Sequence, residues 1–219
     1  MAWQHIASAP LHESSIDLYA ASDGAHMIRV NGLELMNSRY HRSEDLLGTL
    51  AGMLVRGAAP NILLGGLGLG YTLASLARSL GGAGTITVAE ISDAVITWFE
   101  AYFRADLGID LSDAKIVHGD VAALIASGEI YDAIVVDVDN GPEAFTCRKN
   151  RHLYSLEGLR RTRKALRPNG VLAIWSTFAS RAFTARLREA DLETRLVRVR
   201  ANGHSNRLHS LWLGRRSRA

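Results

Sequence analysis

At 219 residues, with 47% apolar and 21% charged side chains, the chain is long enough for one sizeable core and too apolar to be intrinsically disordered. The only cysteine, Cys147, excludes an intrachain disulfide and a multi-cysteine metal site; no metal is called for, and a reducing cytoplasmic setting is expected. The net charge of +3 hides an imbalance, −11 over Met1–Cys147 against +14 over Arg148–Ala219. The basic third is a candidate polyanion surface, but it lacks interleaved aromatics, so nucleic-acid binding is less favoured than solvated helix faces.

In chain order, Met1–Pro10 carries no basic n-region and no long apolar core, so no signal peptide is expected. Asp17–Ala21 and His26–Leu35 read as strands, with turns at Asp23-Gly24 and Asn31-Gly32, which predicts a β-hairpin or small meander. Ser43–Leu54 follows as a helix with Ser43 as N-cap, Glu44 and Asp45 in the first turn, and Leu46, Leu47, Leu50 and Leu54 on one face. Residues 1–54 are expected to form this element and residues 55–219 a nucleoside-binding unit. Gly57–Ala77 is uncharged and long enough to span a bilayer, but Pro60, Asn61 and five glycines argue for soluble core, with no membrane partner.

From Asn61 the pattern alternates. Strands are predicted at Asn61–Gly65, Thr85–Glu90, Lys115–Gly119, Ala133–Val138 and Val171–Ser176. Helices are predicted at Tyr71–Leu80, Ser92–Phe103, Val121–Ala126, Leu153–Leu166 and Ala179–Ala190. Glu193–Val199 and Leu208–Gly214 would close the chain as an antiparallel hairpin. Near-continuous apolar strands such as Ala133-Ile134-Val135-Val136, flanked by helices, imply a doubly wound, mostly parallel α/β sheet covered on both faces.

In such a sheet, ligands sit beyond the carboxyl ends of the strands. The first strand ends in Gly65-Gly66-Leu67-Gly68-Leu69-Gly70, a turn whose glycines let backbone amides approach a ligand. Its spacing is not the dinucleotide fingerprint, because Tyr71 stands three places after Gly68. Glu90 ends the second strand, where an acceptor-only carboxylate suits two ribose hydroxyls, or alternatively serves the next helix as a first-turn acid. Asp120, after the third, suits an exocyclic amine, a helix cap, or both, and Ile91 and Val121 would sandwich a ring. After the fourth stand Asp137, Asp139 and Asn140. Turn chemistry accounts for Asp139-Asn140-Gly141-Pro142 as readily as function does, but strand propensity does not ask for Asp137.

Together, Gly65–Gly70, Ala89-Glu90-Ile91, His118-Gly119-Asp120, Tyr131–Asp137, and His152-Leu153-Tyr154 ahead of Arg167–Gly170 resemble the spermidine synthases, the polyamine aminopropyltransferases. The resemblance covers nearly all of Asp17–Ser176. It implies a class I methyltransferase-like, Rossmann-like fold, a homodimer, and S-adenosylmethionine or its decarboxylated form as donor. It further implies Gly65, Gly66, Gly68, Gly70, Glu90, Ile91, Asp120 and Val121 around the nucleoside, and Asp137 accepting a proton from an attacking amine. Asp139, Asn140 and Ser43 would contact the small-molecule amine. Four positions depart from the family pattern. Its loop acid falls on Gly68, its second acid of the fourth-strand motif on Asn140, its catalytic tyrosine on Ser43, and its hairpin glutamine on Leu35 or Met36. The expected function is adenosyl-sulfonium transfer, aminopropyl to an amine first. A methyltransferase of the same fold and a non-catalytic nucleoside-binding or interaction protein stay open.

Overall fold

The computed structural model describes residues 2–11, 14–138, 141–142, 152–201 and 207–217. Its framework is a seven-stranded sheet in the order β10-β11-β9-β8-β5-β6-β7. Strands β5 (Asn61–Gly65), β6 (Thr85–Glu90), β7 (Ala114–His118), β8 (Tyr131–Val136) and β9 (Leu166–Ser176) run parallel. The predicted closing hairpin, β10 (Leu192–Arg200) and β11 (Leu208–Arg216), adds antiparallel through β11 against β9. Alternation along the strands supplies both faces. Ile62, Leu64, Ala133, Val135 and Ala173 pack under α1 (Arg42–Leu54), α2 (Tyr71–Leu80) and α3 (Asp93–Trp98). Leu63, Ile134, Val136, Leu172 and Ile174 pack under α4 (Val121–Ala126), α5 (Leu156–Ala165) and α6 (Arg181–Glu189). Each such fully buried Leu, Ile or Val contributes about 1.5–3 kcal/mol, which is why the central strands carry no polar alternation. Among the described residues no helix is long and apolar enough to cross a membrane.

Several elements differ from the sequence expectation. The N-terminal β-element is a four-stranded antiparallel sheet of β1 (Trp3–Leu11), β2 (Ser14–Ala21), β3 (His26–Val30) and β4 (Leu33–Asn37). β1 is an edge strand with mostly exposed or half-exposed side chains and Pro10 near its end, so neither periodicity nor propensity marks it. Asn31 and Gly32 both take positive φ, as a tight two-residue hairpin turn requires, and this divides the long predicted strand into β3 and β4. The helix expected over Ser92–Phe103 is α3 followed by a π-helical turn, Phe99–Phe103. β9 begins early, at Leu166 beside Tyr131. Its next partners are Val171 and Ala133, so Arg167-Pro168-Asn169-Gly170 forms an irregular loop within the strand.

α1 and α2 cross closely because α1 presents glycines rather than leucines. A Cβ on Gly48 would lie 2.2 Å from Ser75 Oγ and 2.4 Å from the Thr72 carbonyl oxygen, and one on Gly52 would lie 2.6 Å from Ser79 Cβ. Of the predicted apolar face, Leu47 is fully buried in the core, while Leu46, Leu50 and Leu54 are half-buried against it. In an open helix Gly48→Ala would gain about 1 kcal/mol of propensity, but here overpacking against α2 backbone costs about 1–3 kcal/mol and wins. Gly48→Ala is therefore expected to lower the urea midpoint without changing the slope, while Met53→Ala, at a residue 71% exposed on the same helix, leaves it within error.

Candidate functional site

β5 lies between β6 and β8, so strand addition reverses at the β5–β8 boundary and opens a crevice beyond the strand ends. Backbone hydrogen bonds lock the loops there. The Asp137 N–H donates to the Gly65 carbonyl at 2.8 Å, Gly66 N–H to Ala89 at 2.9 Å, and Gly119 N–H to Glu90 at 2.8 Å. Gly66 has φ 91°, and a Cβ there would lie 2.1 Å from the Asp137 carbonyl oxygen, so the loop can lie against the end of β8 only as glycine. Gly70, at φ 87°, leads directly into α2.

Two clefts meet at this seam. The first is lined by Gly66, Gly68, Glu90, Ile91, Asp120 and Val121 from the sheet ends, and by Leu11, Ile16, Leu35 and Met36 from the N-terminal sheet. Glu90 is fixed by two amides, Leu67 N–H on one carboxylate oxygen and Ser92 N–H on the other, both at 2.9 Å. Burial raises the Glu90 pKa, and the amide hydrogen bonds oppose that rise. Asp120 is the cap of α4, one oxygen accepting from Ala122 N–H at 2.8 Å, and the residue also lines the cleft. Val121 is buried and Ile91 is 44% exposed, giving one wall in the core and one at the rim. Gly65 stands behind the wall, packed on Val121, where a Cβ would lie 2.8 Å from Cγ2.

The second cleft shares Leu35, Met36, Gly68 and Asp137 with the first and adds Glu44, Gly70, Tyr71, Thr72 and Trp175. Asp137 thus lies on both walls. Its Oδ2 accepts a 2.5 Å hydrogen bond from Thr72 Oγ1, and burial pushes its pKa up to about 6 against that bond. Glu44 is pushed up to about 7 by burial first and by Asp137 second.

Ser43 is neither the cap nor part of the cleft wall. It is fully buried in the first turn of α1, and His41 takes the cap position with its ring stacked on Tyr71 at 3.7 Å. Ser43 Oγ donates to Glu44 Oε2 at 2.5 Å and lies 2.8 Å from His209 Nδ1. Burial and then Arg207 push the His209 pKa down to about 4, so the ring is neutral. When Glu44 is ionised, the single Ser43 proton is committed to it, and His209 Nδ1–H must donate to Ser43. Asp139 and Asn140 lie outside the described residues.

Glu44, Thr72 and Trp175 are wall residues that sequence reasoning did not select. Trp175 was within reach, because it sits near the carboxyl end of β9, and the strand-end rule used for four strands applies equally to this fifth one. Glu44 reads locally as an ordinary first-turn acid, and Thr72 as an ordinary residue of the first turn of α2. Nothing local distinguishes them.

No protein-family model matches the sequence, and comparison with curated proteins gives no match. Solved structures do match. A spermidine synthase in complex with the transition-state analogue AdoDATO superposes with a TM-score of 0.78 at 17% identity, covering 97% of this chain and 72% of that one. The spermidine synthase from Thermotoga maritima gives the same values. A probable spermidine synthase from Corynebacterium glutamicum gives 0.70 at 16% identity, covering 97% of this chain and 81% of that one. Identities this low speak to architecture alone: the chain has a spermidine synthase-like fold, of the class I methyltransferase-like α/β type.

Proposed function

We propose that the chain is a transferase that uses an adenosyl-sulfonium donor and moves an aminopropyl group from decarboxylated S-adenosylmethionine to an amine. The observation that carries this reading is the position of Asp137 on the shared wall of the two clefts. The fixed carboxylate of Glu90, the acid Asp120 and the Ile91–Val121 pair suit the ribose and adenine of the donor in the first cleft. Residues 1–54 close over the 55–219 nucleoside-binding unit through Leu35, Met36 and Glu44. The likeness in fold to spermidine synthases supports a transferase at the coarse level.

The chemistry asks little of the protein beyond placement and one proton. The amine lone pair forms a C–N bond to the carbon next to sulfur as the C–S bond breaks, and its electrons stay on sulfur, which leaves as a neutral thioether. No acid is needed for that leaving group. Holding donor and nucleophile in line is worth about 7–11 kcal/mol in well-oriented systems. An alkylammonium with a pKa near 10 must first lose a proton, and Asp137, partly desolvated and positioned by Thr72, accepts it and passes it to water.

Incubating the protein with each donor and a set of amines is expected to release methylthioadenosine from the decarboxylated donor. Release of S-adenosylhomocysteine from S-adenosylmethionine instead would make it a methyltransferase, and no product from either would end the enzyme reading. Asp137→Asn is expected to lower kcat about 10²–10⁴-fold while methylthioadenosine still binds, which calorimetry would check. Because Asp137 and Glu44 are both raised, activity should appear as pH rises through about 6 to 7, where the carboxyls ionise. Thr72→Val removes a hydrogen bond that favours the ionised carboxylate, so the acid limb of kcat/KM should move up by roughly one pH unit.

A further inference from the structure

Resting on that reading, we propose that Glu44 is a substrate-binding residue that holds the terminal ammonium of the donor's transferred chain, so that α1 supplies an anionic contact that the glycine loop does not. The loop itself offers no acid at this point. Gly68 has φ 52°, which L side chains rarely adopt, and its Cβ would point at Met36 Sδ from 2.8 Å. The second cleft begins at this same glycine, and Glu44 lies on its wall together with Asp137. A chain running from a sulfur at the junction into the second cleft therefore meets Glu44.

A first-turn acid that merely satisfied the helix dipole would sit in water, as Asp45 does beside His41. Glu44 is instead half-buried on the cleft wall, and its carboxylate accepts from Ser43, which in turn touches His209. The groups around it are His41 and Asp45 on its own helix, Tyr71 and Thr72 on α2, Asp137 at the end of β8, and His209 on β11. Among the described residues no lysine or arginine lines this cleft, so two acids there stand without a permanent cation. Burial without a partner penalises the ionised form, which accounts for the raised pKa of Glu44, and an arriving ammonium relieves it. The same charge repels a carboxylate at the donor's tail, making Glu44 a determinant of donor choice.

The test is calorimetric titration at pH 8 of wild type, Glu44→Gln and Glu44→Asp with three probes: methylthioadenosine, decarboxylated S-adenosylmethionine and S-adenosylmethionine. Glu44→Gln is expected to bind methylthioadenosine within two-fold of wild type and to lose roughly ten-fold or more in affinity for the decarboxylated donor, with its preference over S-adenosylmethionine reduced. Glu44→Asp keeps the charge and should keep part of that preference. The melting midpoint of Glu44→Gln at pH 8 should not fall. A group whose folded pKa is raised to about 7 favours folding below its ordinary value of 4.5, and that contribution is lost as pH rises through 7, so its removal cannot cost stability there. Equal loss of all three probes, or no loss of any, overturns the proposal while leaving the transferase reading in place. Wild type that binds none of the three removes both.

Discussion

The structure depends on the close approach of two strand ends. Asp137 N–H bonds to the Gly65 carbonyl, and Gly66 lies so near the Asp137 carbonyl oxygen that no Cβ fits. This contact sits where strand order reverses, and the loops that leave β5 and β8 there diverge to opposite faces and leave room between them. Everything lining the crevice is placed from that seam. The glycine turn delivers α2 and Thr72 on one side, and the extension of β8 delivers Asp137 on the other.

The seam also explains why a carboxyl can be buried at the end of an apolar strand. An isolated ionised acid in the interior is costly, and proteins ordinarily pair it or keep it neutral. Here Asp137 receives a hydroxyl hydrogen bond and Glu44 another, yet the described walls of the cleft offer neither a lysine nor an arginine. Both acids therefore titrate near neutrality rather than near 4. Such an arrangement lowers the stability of the fold, as desolvated groups at functional sites commonly do.

Most of the parallel framework was legible in the sequence because its signals are local. Asn61–Gly65, Thr85–Glu90, Tyr71–Leu80 and Val121–Ala126 form at the predicted boundaries, since continuous apolar runs and glycine or aspartate punctuation reflect burial and capping that neighbouring residues determine. Glu90, Asp120 and Asp137 were found by the rule that ligands sit at strand ends. β1 was missed because an exposed edge strand carries no period. Ser43 was misplaced because its hydroxyl pairs with His209, 166 residues away, where a capping rule that looks three residues ahead cannot reach.

By itself the sequence determined the doubly wound sheet, the glycine turn and the three acids at its strand ends, because each follows from chemistry within about a dozen residues. Only the tertiary structure decided that Glu44 joins Asp137 across one cleft. That meeting requires α1 to press against α2 through Gly48 and Gly52, a contact between helices separated by β5 and the glycine loop. Helix periodicity records which side of α1 is apolar, but not how near a glycine permits its neighbour to come.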